Sequence, residues 1–385
     1  MAALLNYIVK RSVQGAVTIL VVTLVIFLLF HQMPGSIIDN FRADPTFNRA
    51  KLAQLNETFG VNDPFFVKMY KFVPNMFTFN FGPSYLESKP VVDVLREALP
   101  RTLFLFGGAV IIEYLLGILL GRYIAWKRGR FSEGATVVTS LFFYNMPSFW
   151  IGLILLYFFA FVVDWFPLRG YSDLAWTDQH YAWLAGLNNI QLSTVLAVVC
   201  VLLGVVGIVL GLRARSTRRE VLGGGIVAAG AVVLAVGNWN FSMFDFADIA
   251  IHAFLPMLAL VLISSAGTIL LMQTSMLEVM GEDFILTARA KGLSERVVRS
   301  HHAARNAYLP IVTSLAISLG FVIGGAIVLE QIFSYYGAGW YFLQAVTRHD
   351  YFLAGADLFL ISVLVIAGNI IADIMYGVLD PRVRL

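Results

Sequence analysis

Charge is the first thing this sequence is short of. Of its 385 residues only 13% are Asp, Glu, Lys or Arg, against 59% hydrophobic, and the mean hydropathy is +0.78. A soluble fold needs far more charge on its surface, so the composition excludes an ordinary soluble globule and identifies an integral membrane protein. Cysteine is nearly absent. Cys200 stands alone in an apolar run, which excludes an intrachain disulfide and a thiolate metal cluster and leaves a small buried hydrophobe. No Gly-x-x-x-x-Gly-Lys-Ser/Thr phosphate loop occurs, so the chain supplies no ATP site of that kind. A His-Glu-x-x-His motif and a Gly-x-Ser-x-Gly elbow are missing too. His301 and His302 are adjacent and so point in different directions on a helix, with no thiolate or regular carboxylate spacing nearby to complete a metal site. Enzymatic activity is not expected of this chain. The net charge of +3 would suit an acidic partner in a soluble protein, but here the basic residues belong to cytoplasmic loops and nucleic acid is not expected as a partner.

What the chain has in abundance is long apolar runs. Lys10 and Arg11 precede an uncharged run over 12–30, too long for a signal h-region and without a small-x-small cleavage site, which reads as a retained first span. Residues 32–99 are mixed, with Pro34, Pro45, Pro64, Pro74, Pro83 and Pro90 breaking any long helix, and read as a small external domain. The second span, 102–124, contains Glu113. An acid at that depth faces protein or water, lining a path or meeting a polar group on a neighbouring helix. Lys127, Arg128 and Arg130 form a basic loop before the third span, 135–163, which Asn145-Met146-Pro147-Ser148-Phe149 interrupts. Such a break is either a structural kink or the mark of a transport pathway. A loop rich in Tyr and Trp follows at 167–189, then apolar runs at 192–212 and 221–237 separated by Arg213, Arg215, Arg218 and Arg219. Further spans read at 252–272, 310–329 and 352–376. The last carries Asn369 and Asp373 one turn apart, read as a hydrogen-bonded structural pair. Short loops on one side hold nearly every clustered Lys and Arg, while the short loops opposite hold only Arg169 and Arg348, so both termini are expected in the cytoplasm.

One long polar interruption, 282–310, falls on that cytoplasmic side. Glu282 and Asp283 suit a helix N-terminus, Arg289 and Lys291 a C-terminus, and Gly292 the C′ position after it. Ser294 is expected to cap a second short helix with Glu295 in its first turn, and Pro310 to start the next span. The expected product is a helical knuckle of two short helices.

At these residues the chain resembles the permease subunits of dipeptide and oligopeptide ABC importers. Thr287-Ala288-Arg289-Ala290-Lys291-Gly292-Leu293-Ser294, with His302-Ala303-Ala304-Arg305-Asn306-Ala307 and Pro310, is similar to that family's coupling-loop signature. Leu286-Thr287-Ala288 stands where the generic importer signature begins Glu-Ala-Ala. Met33-Pro34-Gly35, Phe59-Gly60-Val61-Asn62-Asp63-Pro64, Phe81-Gly82-Pro83-Ser84, Leu99-Pro100-Arg101-Thr102-Leu103, Leu255-Pro256-Met257-Leu258-Ala259-Leu260, Phe333-Ser334-Tyr335-Tyr336-Gly337-Ala338-Gly339, Asp350-Tyr351 and Leu379-Asp380-Pro381-Arg382 extend the likeness. The family usually has proline at the place of Tyr336, and it lacks the pair of runs at 192–237, which therefore reads as an inserted hairpin.

The resemblance implies an all-α polytopic membrane protein, a type I ABC importer permease bundle of about eight transmembrane helices, the inserted hairpin included, plus a small external domain. Its parts would be 1–31 (first span), 32–99 (external domain), 100–191 (two spans and a loop), 192–237 (the insert) and 238–385 (core with a coupling loop at 274–310). It implies import of di- or oligopeptides through a prokaryotic inner membrane, with a second homologous permease, two ATPase subunits or domains that hold ATP and Mg, and an extracytoplasmic substrate-binding protein as partners. No cofactor is expected in this chain. Nickel chelates, glutathione or oligosaccharides are alternative cargoes, and a self-contained secondary transporter or channel is the alternative machine. In this reading Thr287, Ala288, Arg289, Ala290, Lys291, Gly292, Leu293 and Ser294 couple to the ATPase, with Arg289, Lys291, Arg296 and Arg299 offering it charge. Asn145, Ser148, Ser264 and Ser265 are the candidates for the translocation path.

Overall fold

The computed structural model describes residues 2–32, 57–58, 63–84, 86–192, 194–196, 198–200, 202–203, 206, 242–321 and 327–379. Two compact units divide the chain: 1–156 with 256–385, and 157–255. Apolar runs in lipid must satisfy their own backbone, and the helix does so within one segment. Four helical stretches are accordingly long and apolar enough to cross a membrane: Val9–Gln32, Val91–Trp126, Met243–Met280 and Tyr351–Ile370. A fifth arises if Phe131–Tyr144 and Ser148–Val162, bent by 101° at their junction, count as one broken span.

In chain order the first unit holds α1 (Ala2–Gln32), α2 (Phe65–Phe77), α3 (Val91–Trp126), α4 (Phe131–Tyr144) and α5 (Ser148–Leu155). A π-helical continuation, Leu156–Val162, leads into the second unit, which adds α6 (Leu174–His180) and a 3-10 turn, Ala182–Asn189. α7 (Met243–Met280) carries the chain across the unit boundary after Leu255. The first unit then resumes with α8 (Asp283–Ala290), α9 (Glu295–Val297), a π-helical turn Val298–Ala303, α10 (Ala304–Phe321), α11 (Ile327–Ile332), α12 (Ala338–Thr347) and α13 (Tyr351–Leu379).

The helices outrun the spans read from hydropathy. At 1.5 Å per residue α3 is roughly 54 Å long, well beyond the ~30 Å of a bilayer's hydrocarbon core, and its first turns carry Asp93, Arg96 and Glu97. The count of about eight spans cannot be taken among the described residues, because most of the insert at 192–237, and residues 322–326 within the span read at 310–329, lie outside them. Pro310 does not stand in the first turn of its helix. It sits inside α10, because nothing between Ser294 and Tyr308 stops the helix: no glycine intervenes, and Ala303, Ala304 and Ala307 are strong helix formers.

Two clusters hold the first unit. Near the start of α3, Val91, Val94, Leu95 and Ala98 pack with Met76, Phe81, Tyr341, Phe352 and Phe359. Near its other end, Tyr114 and Ala125 pack with Met272, Met276, Ile285, Val298 and Ala304. Between them α3 and α7 approach closely. A Cβ placed on Gly117 would run into Thr268 Cγ2, and one on Gly121 would lie 2.6 Å from the Ile269 carbonyl oxygen. This is the small-xxx-small spacing that lets helix backbones meet in lipid.

In the second unit the buried Asp248 carboxylate organises the aromatic loop. It accepts from Ser172 Oγ (2.5 Å), Thr177 Oγ1 (2.6 Å) and the Asp173 amide (3.1 Å), while Asp173 caps α6 through the Trp176 amide. Phe166 stacks on Phe254 at 4.8 Å, and Trp176 on His180 at 4.0 Å. Ile190 O accepts from the Met243 amide at 2.7 Å, and Gln191 bridges antiparallel to Ser242, so the two ends of the inserted segment meet.

Candidate functional site

The knuckle forms as its residue types require at one end and departs from expectation at the other. Glu282 is extended (φ −76°, ψ 148°), and Asp283 opens α8 where a carboxylate favours the helix N-terminus. α8 ends at Lys291. Gly292 takes φ +76°, its amide donates to Arg289 O (2.9 Å), and the Leu293 amide reaches back to Ala288 O (3.4 Å). That pair of bonds is a Schellman closure, and it needs the left-handed residue at C′. Ser294 stands at the N-cap of α9, and its carbonyl accepts from the Val297 and Val298 amides, but its side chain bonds no helix amide. The second helix is therefore not capped as expected; it runs through the π-helical turn directly into α10.

The knuckle has two faces. Ile285, Ala288, Val298 and Ala303 are buried against Met272 and Met276 of α7. The opposite face leaves Phe284, Leu286, Leu293 and Val297 exposed, Leu286 to 58%, among Thr287, Ala290, Lys291 and Arg296. A lone exposed apolar residue means little, but several on one short basic loop form a surface suited to burial in another protein. Arg289 is not free for that role: its Nε donates to Glu295 Oε1 at 2.8 Å. This hydrogen bond holds the Glu295 carboxyl below its ordinary value.

At the far end of α3, motifs distant in sequence converge. Asp350 is buried and accepts from Ser84 Oγ (2.7 Å), 266 residues away, and from the Leu86 (3.0 Å) and Leu353 (3.1 Å) amides. Thr102 Oγ1 donates to Glu330 Oε1 (2.8 Å) and accepts from the Ala338 amide (2.7 Å), while the Trp340 amide donates to Glu330 Oε2 (2.7 Å). Arg101 reaches Tyr336 O at 3.1 Å, so the residue standing in the place of the family's proline still offers its carbonyl. Met33-Pro34-Gly35 and the motif residues 59–62 lie outside the described residues.

Burial pushes the Glu330 carboxyl up to about 7, against an ordinary value of 4.5. Between those values the folded protein holds a proton that the unfolded chain has lost, so stability falls as pH rises from about 4.5 to about 7 and is level above. Thermal unfolding in detergent is expected at a higher temperature near pH 5.5 than near pH 8, and Glu330→Gln should remove that component. A variant with an unchanged pH slope would contradict the assignment.

The candidate path residues fall into two pairs. Asn145 and Ser148 flank Pro147 at the 101° break, where Asn145 is exposed and donates to Leu141 O at 2.7 Å. Asn145 lines an open groove of about 620 Å³ together with Val138, Leu141, Phe142, Met146, Pro147 and Trp150; Ser148 is not among the lining residues. Ser264 and Ser265 bond back into α7, to Leu260 O and Leu262 O, and Ser265 is buried. No hydrogen bond joins the two pairs among the described residues. Glu113 meets Thr268 at 2.8 Å, the helix-to-helix alternative of the two open to it. Asn369 is exposed, and the Asp373 side chain lies outside the described residues. Sequence reasoning missed Ser84, Thr102, Glu330 and Asp350 as partners, since no local pattern announces a pairing across hundreds of residues. It also passed over Gly117 and Gly121, whose spacing was legible.

Residues 114–385 match the family described as the binding-protein-dependent transport system inner membrane component, and residues 4–106 match the N-terminal part of such membrane components. The chain is similar end to end to named relatives. It is 28% identical to the oligopeptide transport system permease protein AppB of Bacillus subtilis, over 98% of this chain and 99% of the relative. It is 29% identical to the di/tripeptide transport system permease protein DppB of Pseudomonas aeruginosa, over 99% of each. Against the dipeptide transport system permease protein DppB of Escherichia coli the figure is 28%, again over 99% of each. Apolar helices, the two-faced knuckle and a family match over most of its length make this chain a multi-pass member of the binding-protein-dependent transport system inner membrane component family.

Proposed function

We propose that the chain is one permease subunit of a peptide-importing ABC transporter, with N- and C-termini in the cytoplasm. The observation that carries this is the two-faced knuckle: α8 is fixed to α7 on one side and offers Phe284, Leu286 and Leu293 beside Lys291 on the other. Such a surface suits an ATPase cleft, and peptide is the cargo named for the relatives above. Thr287, Ala288, Arg289, Ala290, Lys291, Gly292, Leu293 and Ser294 form the coupling segment. The partners are a second, related permease, two ATPase subunits or domains that hold ATP and Mg, and a substrate-binding protein on the external side. The parts of the chain are 1–31, 32–99, 100–191, 192–237 and 238–385. The test is co-purification: tagged chain should bring down ATPase subunits, and Leu286→Asp should release them. Unchanged recovery of the ATPases with Leu286→Asp would count against the knuckle as the dock.

The path runs between the two permeases and passes the break at Asn145 and Ser148. Cysteine placed at Asn145 or Ser148 should react with a water-soluble thiol reagent, whereas cysteine at Ser265, buried in α7, should react only if the conformation changes. Protection at 145 and 148 throughout the transport cycle would remove them from the path. The insert at 192–237 is peripheral to it. Because Gln191 and Ser242 pair across an antiparallel bridge, their Cα atoms are roughly 5 Å apart, and a two-residue turn can replace everything between them. The shortened protein is expected to assemble and transport with unchanged selectivity; altered selectivity would put the insert in the path.

A further inference from the structure

The charges of the knuckle divide into two sets, and only one of them is available to a partner. Arg289 Nε and Arg299 Nε both donate to one carboxylate, that of Glu295, at 2.8 Å and 3.3 Å. The guanidinium of Arg299 also lies over the ring of Trp126, 4.1 Å from its centroid. Trp126 is the last residue of α3. Arg299 projects from the π-helical turn Val298–Ala303, a register in which a side chain swings away from the stripe an α-helix would give it. Lys291 and Arg296 are exposed, and neither makes an ion pair among the described residues.

We propose that Arg289, Glu295, Arg299 and Trp126 form a linkage that carries movement of α8 to the end of α3, while Lys291 and Arg296 are the charges that meet the ATPase. This rests on the reading of the knuckle as the ATPase dock. Glu295 is the pivot, because its carboxylate bonds a cation of α8 and a cation of the π-helical turn at once. A pull on α8 shifts Glu295, Glu295 shifts Arg299, and the face-on guanidinium shifts Trp126 and the span it ends. Each exposed ion pair is weak in isolation, so the linkage works by fixing direction rather than by adding stability. Glu295, Arg299 and Trp126 are thus positioning residues.

The test uses the assembled transporter in proteoliposomes and reads two quantities: affinity for the ATPase subunits and peptide moved per ATP hydrolysed. Glu295→Gln and Trp126→Leu should keep wild-type ATPase affinity and lower peptide per ATP by about threefold or more. Trp126→Phe keeps an aromatic face for Arg299 and should restore the ratio. The double variant Lys291→Ala with Arg296→Ala should weaken ATPase affinity, with a shallower salt dependence, and leave peptide per ATP unchanged in the complexes that form. The linkage is overturned if Glu295→Gln and Trp126→Leu transport at the wild-type ratio, or if Trp126→Phe behaves as Trp126→Leu. The division of charges is overturned if Glu295→Gln, rather than the Lys291 and Arg296 double variant, loses the ATPase. Wild-type chain that binds no ATPase at all refutes the docking reading itself, which is a separate result.

Discussion

Gly292→Val is expected to leave the chain in the membrane while uptake falls by about tenfold or more and substrate no longer stimulates ATP hydrolysis. The reason is confined to the backbone. Gly292 stands at φ +76°, and a Cβ added there would meet nothing within 4 Å, so no side-chain clash enters the result. A left-handed conformation costs an ordinary residue roughly 1–2 kcal/mol, and a β-branched one more. The strain is relieved by moving φ out of that region, which breaks the bond from the Leu293 amide to Ala288 O and turns α9 away from α8. The exposed face that pairs Leu286 with Leu293 is then split. Gly292→Asn should be much milder, since asparagine tolerates the left-handed region. The measurements are peptide uptake and ATP hydrolysis with and without loaded receptor. Valine at wild-type coupling, or asparagine as poor as valine, would contradict the account.

Gly121→Val is expected to do the opposite: it should deplete folded protein rather than uncouple it. A Cβ at 121 would sit 2.6 Å from the Ile269 carbonyl oxygen and 2.6 Å from Met272 Cβ. The first of these is backbone in the middle of α7 and has no rotamer by which to move aside. Forcing α3 and α7 apart costs roughly 3 kcal/mol, and it also loosens the Glu113 to Thr268 bond, which depends on the same approach. Gly107→Ala on the same helix is the control, because nothing lies within 4 Å of its Cβ. The level of monodisperse protein extracted from membranes should drop sharply for Gly121→Val and stay at wild type for Gly107→Ala. Equal levels for both would show that the two helices do not pack through Gly121.

The contrast between these glycines shows what a sequence carries openly. Gly292 was legible because a C′ residue announces itself locally, after an acidic first turn and a basic last turn. Thr102 and Glu330, 228 residues apart, could not be paired from pattern alone, since their match is made by the fold. Hydropathy located the four long apolar helices and the broken stretch at 131–162 but not where the helices end: it measures lipid thickness, whereas α3 starts at Val91 and α7 at Met243, ahead of the runs read from 102 and 252. Pro310 was read as a boundary, yet the alanines before it hold the helix through. Arg289 and Arg299 were read as charges for a partner because a sequence lists cations without showing which of them Glu295 has taken. Ser264 and Ser265 were chosen for polarity, which serves helix packing as well as it serves a path; both bond back into α7, and Ser265 is buried. The break at Asn145 and Ser148 was visible because proline inside an apolar run leaves few alternatives.

The central claim is that this chain conducts peptide only when partner ATPases act on its knuckle. Peptide uptake into proteoliposomes tests it most directly, with this chain, the second permease and the substrate-binding protein held constant and the ATPase subunits added or withheld. Uptake should appear only with ATPases and ATP present and should vanish in Gly292→Val. Uptake by this chain alone, driven by an ion gradient with no ATPase in the membrane, would contradict the account.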